Sequence, residues 1–157
     1  MPPDIVIEEA RWPADRDTVH GLFRTYLDGL GVDLTFQHPE EELASLPGKY
    51  ARPEGVVLLA RSGEDAVGVV AYRPFAPAIC EMKRLHVTIA WRGLGISRSL
   101  CDRLLDEARA AGYRRMVLDT GAWLMPALAL YRSLGFLEIP AYYDNPLENV
   151  VYMGRDL

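Results

Sequence analysis

The feature that most restricts the fold lies between Ile79 and Gly112. An apolar strand-like run, Ile79 to Val87, passes through the turn Arg92-Gly93-Leu94-Gly95-Ile96-Ser97 straight into an amphipathic helix. Ile96, Leu100, Leu104 and Ala108 fall on one helical stripe, and Gly112 closes it. A second strand, Met116-Val117-Leu118-Asp119, follows at once. A strand–helix–strand unit of this length returns the chain parallel to its start, so at least one parallel pairing is expected in the sheet. Upstream, Val56 to Arg61 and Ala66 to Tyr72 are joined by Ser62-Gly63-Glu64-Asp65, the chemistry of a hairpin. Both strands are apolar on both faces, so helices should cover the sheet on each side.

The remaining elements fit around that frame. Ile5 to Glu9 reads as a first strand. Val19, Leu22, Phe23, Tyr26 and Leu30 recur at helical spacing after Trp12-Pro13-Ala14-Asp15, with Gly29 and Gly31 at the end. A short helix should open at His38-Pro39-Glu40-Glu41-Glu42, where proline suits the first helical position and acids suit the helix dipole. Leu46 to Glu54 reads as a loop. Pro126 opens a helix carrying Ala127, Leu130, Tyr131 and Leu134, which Gly135 ends. A polar aromatic loop, Tyr142-Tyr143-Asp144-Asn145-Pro146, precedes a last strand near Asn149 to Met153. The expectation is one domain over residues 1–157, of mixed α/β class, with the order β α α β β β α β α β β.

Composition narrows the function. With 157 residues and a net charge of −5, the chain lacks the basic balance of a general nucleic-acid binder. Cys80 and Cys101 have no neighbour at metal-ligand spacing, so no metal is expected and both thiols should be reduced and packed. Met-Pro-Pro-Asp does not begin a secretory signal, and no apolar run reaches the roughly 20 residues that span a bilayer. These readings predict a cytoplasmic protein without a membrane or nucleic-acid partner.

The glycine turn is where chemistry enters. The first N–H groups of a helix have no partner inside it, and the dipole adds positive potential there. Glycines at 93 and 95 let backbone approach an anion, and Arg92 brings a cation to the rim. A dinucleotide fingerprint would need a third glycine where Arg98 stands, and a P-loop would need Gly-Lys-Ser/Thr. Neither is present.

Three blocks together, Glu81-Met82-Lys83-Arg84-Leu85-His86-Val87, Arg92-Gly93-Leu94-Gly95-Ile96 and Leu130-Tyr131-Arg132-Ser133-Leu134-Gly135-Phe136, resemble the GNAT superfamily of N-acetyltransferases in order and spacing. The resemblance implies a single twisted mixed sheet of about seven strands, about four helices on its two faces, and central strands that splay apart. It implies acetyl-coenzyme A as co-substrate, with no metal, and a small-molecule or peptide amine as acceptor. The family's pyrophosphate signature is Arg or Gln, two residues, Gly, one residue, then Gly or Ala. Arg92 and Gly95 match it, whereas Ser97 departs at the last place.

By the same resemblance Gly93, Leu94 and Ile96 complete the cofactor-binding turn. Leu85, His86 and Val87 should bind the pantetheine arm as an added strand, and a backbone N–H near Val87 should polarise the thioester carbonyl. Tyr131 matches the general acid that assists the departing thiolate. Many relatives carry an asparagine seven residues earlier, where Leu124 stands here. Glu81 lies in the strand where some relatives place a catalytic glutamate; His86 and Asp119 are further candidates for the base, and capture of neutral amine needs none. Tyr26, Asp28, Gln37, Trp123, Tyr142, Tyr143 and Asp144 are the candidates for the acceptor pocket, through aromatic and carboxylate contacts to an ammonium. Trp91 should pack on the adenosine side or anchor the turn. The competing reading on the same fold is a catalytically silent coenzyme A-binding module; a protein or peptide N-acetyltransferase is another. Dimerisation through the last strands is common among members of that family.

Overall fold

A computed structural model describes residues 2–157. The described residues form seven strands and four α-helices: β1 (Ile5–Glu9), α1 (Arg16–Gly29), α2 (Pro39–Ala44), β2 (Val56–Ser62), β3 (Asp65–Ala76), β4 (Ile79–Val87), α3 (Ile96–Ala110), β5 (Arg115–Gly121), α4 (Met125–Ser133), β6 (Leu137–Ile139) and β7 (Val150–Asp156). One mixed sheet runs β1-β2-β3-β4-β5-β7-β6. All neighbours are antiparallel except β4 and β5, the parallel pair expected from the strand–helix–strand unit.

Side-chain alternation explains the two layers. Val56, Leu58, Val70, Tyr72, Cys80 and Met82 face one side, where they pack with Leu100, Leu104 and Ala108 of α3 and Leu128 and Tyr131 of α4. Val57, Leu59, Val69 and Ala71 face the other, against Val19, Leu22, Phe23 and Leu27 of α1 and Leu43 of α2. Period-2 strands between period-3.6 helix stripes thus yield a sheet covered on both faces. Cys80 and Cys101 are buried in the first of these layers, their thiols pushed up to about 12 by burial. Neither is a nucleophile in that state.

β3 runs beyond its expected end at Tyr72, through Arg73-Pro74-Phe75-Ala76. Pro74 is tolerated because the β3–β4 ladder is irregular between Pro74 and Ala76. A second irregularity matters more. Val69 pairs with His86 but Ala71 pairs with Lys83, so Val70 lies opposite the two residues Arg84 and Leu85. Arg84 has φ 63°, a left-handed conformation rare in a non-glycine residue, and it marks a β-bulge that bends β4. The parallel ladder of β4 with β5 holds only Ile79↔Arg115, Cys80↔Met116 and Glu81↔Val117. Past Glu81 and Val117 the two strands part, and the functional cavities open there.

Candidate active site

Two cavities meet where β4 leaves β5. The larger, about 620 Å³, is walled by Leu85, His86 and Val87 of β4, by Trp91, Arg92, Gly93, Gly95, Ile96 and Ser97 of the turn, and by α4. The α3 N-terminus opens into it. Gly93 and Gly95 adopt φ of 79° and 80°, which aims the backbone of the turn inward. Ser99 N–H bonds Gly95 carbonyl at 3.2 Å as the first helical bond, so the N–H groups of Ile96, Ser97 and Arg98 have no helical partner. No side chain caps this end, and its first turn holds no acid. The terminus is therefore suited to receive an anion beside Arg92. Arg92 Nε donates to Val87 carbonyl at 2.9 Å, which fixes the guanidinium at the rim and leaves its other nitrogens free to meet a phosphate. Trp91 both walls the cavity and packs on the core.

The smaller cavity, about 70 Å³, lies on the α1–α2 side, walled by Tyr26, Gln37, Lys83, Arg84, Asp119, Trp123 and Asn145 among others. Tyr26, Leu30, Leu85, Thr120, Leu124 and Tyr131 wall both cavities and so mark their junction. Tyr131 is 7% exposed and packs edge-on against Phe136 at 5.9 Å. Burial, reinforced by nearby Cys101, Tyr26 and Asp119, holds its phenol protonated well above its ordinary range. Its hydroxyl has no hydrogen-bond partner among the described residues.

The α1–α2 side of the parting strands is polar. Arg84 Nε donates to Glu42 Oε2 at 2.9 Å, and Tyr50 donates to Glu42 Oε1 at 2.7 Å. Arg84 also reaches Gln37 Oε1 at 3.2 Å. Burial pushes the Glu42 carboxyl up, but Arg84 and Tyr50 outweigh it and hold it below its ordinary value. Arg73 Nε donates to Glu81 Oε1 at 3.0 Å, and Tyr142 donates to Glu81 Oε2 at 2.6 Å. Tyr143 donates to Asp119 Oδ2, as does Asn145 Nδ2 at 3.2 Å. Burial first, then these carboxylates, pushes both phenols up, so each stays a donor at neutral pH. The loop between β6 and β7 is thereby latched onto the parting strands.

The residues expected at the site fall in three groups. Leu85, His86, Val87, Arg92, Gly93, Gly95, Ile96, Ser97 and Tyr131 wall the larger cavity, whereas Leu94 lines neither cavity. Tyr26, Gln37 and Trp123 wall the smaller one; Tyr142 and Tyr143 stand behind its wall, and Asp28 and Asp144 line neither cavity. Glu81 lines neither cavity and has both oxygens engaged, an arrangement that suits an anchor for Tyr142 better than a free base. His86 Nε2 is buried without a partner, and burial, with Arg92 adding to it, lowers the imidazole pKa. Lys83, Arg84 and Asn145 entered the wall without being expected there. The sequence signal for Lys83 and Arg84 is a pair of cations inside a strand that is otherwise largely apolar; Asn145, in the loop between β6 and β7, has none beyond its place in the polar aromatic segment.

Known proteins place this geometry. The Acetyltransferase (GNAT) family matches residues 19–136. The chain is 44% identical to an uncharacterized N-acetyltransferase of Schizosaccharomyces pombe, over 99% of this chain and 97% of that protein. It belongs to the GNAT family of acetyltransferases. GNAT structures share its fold throughout. A GNAT acetyltransferase from Staphylococcus aureus superposes with TM-score 0.79 at 18% identity, covering 97% of this chain and 98% of that one. The yncA protein of Salmonella typhimurium, solved with its cofactor acetyl-CoA, gives TM-score 0.74 at 21% identity over 98% and 94%. The seven-stranded open sheet with four helices is thus the GNAT fold. Among the described residues no group of three or more His, Cys, Asp or Glu could hold a metal ion, and no helix is long and apolar enough to cross a membrane.

Proposed function

We propose that this GNAT protein transfers an acetyl group from acetyl-coenzyme A to a primary amine by direct attack on the thioester. One observation carries the reading: an uncapped helix N-terminus and a glycine turn open into a cavity that joins a polar pocket at Tyr131. The residues present fit the donor. The N–H groups of Ile96, Ser97 and Arg98, with Arg92, would hold the pyrophosphate, and Ser97 adds a hydroxyl to that set. The freed edge of β4 at Leu85 to Val87 offers backbone groups to the pantetheine amides. A backbone N–H there would stabilise the oxyanion formed when the amine adds to the carbonyl, an effect commonly worth about 3 kcal/mol of barrier.

Collapse of that intermediate breaks the carbon–sulfur bond. Tyr131, protonated and otherwise unpartnered, would donate its hydroxyl hydrogen to the departing thiolate. A phenol is ordinarily less acidic than a thiol, so stabilising the thiolate matters more here than completed transfer. The acceptor amine enters from the smaller cavity and loses its proton to water there. Glu81, with both oxygens engaged, takes no step.

The test is thiol release from acetyl-coenzyme A across a broad amine panel, with products identified by mass spectrometry. Turnover with at least one amine is expected. Tight binding of acetyl-coenzyme A without turnover by any amine would instead favour a silent coenzyme A-binding module.

A further inference from the structure

The buried and half-buried charges on the α1–α2 side of the sheet pair off incompletely. Arg84 is matched by Glu42, and Arg73 by Glu81. Lys83 and Asp119 remain. They occupy equivalent places on the two parting strands, each two residues beyond the last ladder pair, Glu81↔Val117, and both wall the smaller cavity. Lys83 is only 6% exposed, yet no carboxylate lies within 4.0 Å of its ammonium among the described residues. Asp119 receives Tyr143 and Asn145 on Oδ2 alone, and its Oδ1 has no donor among the described residues.

A lysine side chain this deeply set without an anionic partner is costly, and a carboxylate with one oxygen unbonded keeps capacity to accept. Burial accordingly draws the Lys83 pKa down, opposed by Glu81 and Asp119. One cation and one anion that line the same cavity without pairing within 4.0 Å of each other match a ligand that carries both charges. Both wall only the smaller cavity, but of the two it is the Asp119 charge that reaches Tyr26 and Tyr131 at the junction, where it adds to burial's upward push on both phenols. The Asp119 end is therefore nearer the junction with the donor cavity. The small volume of about 70 Å³ restricts what fits beyond that junction to a few atoms.

We propose that the acceptor is a compact zwitterion of the amino-acid type, its amine directed by Asp119 Oδ1 toward the thioester and its carboxylate held by Lys83. This rests on the smaller cavity being the acceptor site, as above. Uncharged or purely cationic amines would leave Lys83 unpaired, and a polypeptide N-terminus would lack the adjacent carboxylate. Discrimination then comes from the buried charge left without a partner.

The experiment uses the full chain and a panel of small L-amino acids, each beside its carboxamide and its decarboxylated amine. In wild type, kcat/KM for the amino acid should exceed that of both analogues by about tenfold or more. Lys83→Met, which keeps the apolar stem, should bring the three to within about twofold of one another while acetyl-coenzyme A affinity is retained. Equal or better rates with the carboxamide or amine in wild type would overturn the proposal, and that comparison decides it even if the variant does not fold. A preference that survives in folded Lys83→Met would overturn it as well. Failure of every amine to turn over would count against the acetyl-transfer reading instead. Calorimetric titration of the same compounds into coenzyme A-loaded protein then decides the zwitterion question separately. Binding of the amino acid but not its carboxamide supports it; equal or absent binding refutes it.

Discussion

Replacing Tyr131 by Phe separates chemistry from packing more cleanly than any other change at this site. The ring fills the junction between the two cavities and meets Phe136 edge-on at 5.9 Å, contacts that Phe preserves. The hydroxyl has no partner among the described residues, so its removal breaks no hydrogen bond and leaves no buried group orphaned. Stability should therefore move by no more than about 0.5 kcal/mol. Catalysis should respond very differently. A positioned proton donor contributes about 10²–10⁴-fold, and at the lower part of that range the barrier rises by about 3–4 kcal/mol. Because the hydroxyl meets sulfur only as charge develops there, the loss should fall on kcat, with acetyl-coenzyme A affinity nearly unchanged. Burial keeps this phenol protonated throughout the neutral range, so any basic limb in the wild-type rate profile should persist unaltered in the variant. Thiol-release kinetics, calorimetric binding of acetyl-coenzyme A and thermal unfolding, run on the same preparations, give the three quantities. A kcat within about twofold of wild type would refute the role given to Tyr131.

Other perturbations test the scaffold around it. Gly95→Ala places a side chain at φ 80°, and thermal unfolding should show a loss of about 1–2 kcal/mol, with weaker acetyl-coenzyme A binding by calorimetry if, as proposed, this turn holds the pyrophosphate. Glu42→Gln removes one partner of a buried pair whose side chains are 10% and 4% exposed, and should cost about 3–5 kcal/mol at neutral pH by denaturant titration. Since the folded pKa of Glu42 is depressed, that contribution is complete above the ordinary carboxyl value of 4.5 and is lost as pH falls through the folded value; the gap between wild type and variant should close in acid. Leu104→Ala, at a fully buried position on α3, should cost about 2–5 kcal/mol without altering the order of amine preferences.

What could be read from the chain in advance follows a physical divide. The turn at Arg92 to Ser97 acts through its own backbone, and glycine spacing beside a helix stripe encodes that locally. The hairpin, the parallel crossover and the two-faced sheet are also consequences of short-range pattern. Glu81 shows the other side of the divide. Its neighbours in sequence, Lys83 and Arg84, look like its partners, but it is bound by Arg73 across the β3–β4 hairpin and by Tyr142 from the loop before β7. The sequence suggests Tyr142 and Tyr143 for an acceptor pocket, whereas neither lines a cavity and their hydroxyls, bonded to Glu81 and Asp119, fasten the loop. Contacts of that range have no local periodicity to betray them.

Arg84 ties these threads together. A left-handed residue at the bulge bends β4 just past its last pair with β5, and its side chain binds Glu42 on α2 and Gln37 nearby. Strain of this kind, of order 1–3 kcal/mol, persists only where surroundings over-determine it, and the buried ion pair does so here. The bulge separates the stretch Leu85 to Val87, unpaired on its β5 side, where the donor is proposed to bind, from Lys83, which lines the smaller cavity with Asp119. On the proposed reading, donor recognition would rest mainly on backbone that many sequences can supply. Acceptor recognition would rest on which side chains occupy the few positions around the bulge, so substitutions there should alter the preference for an acceptor while the donor site is left intact.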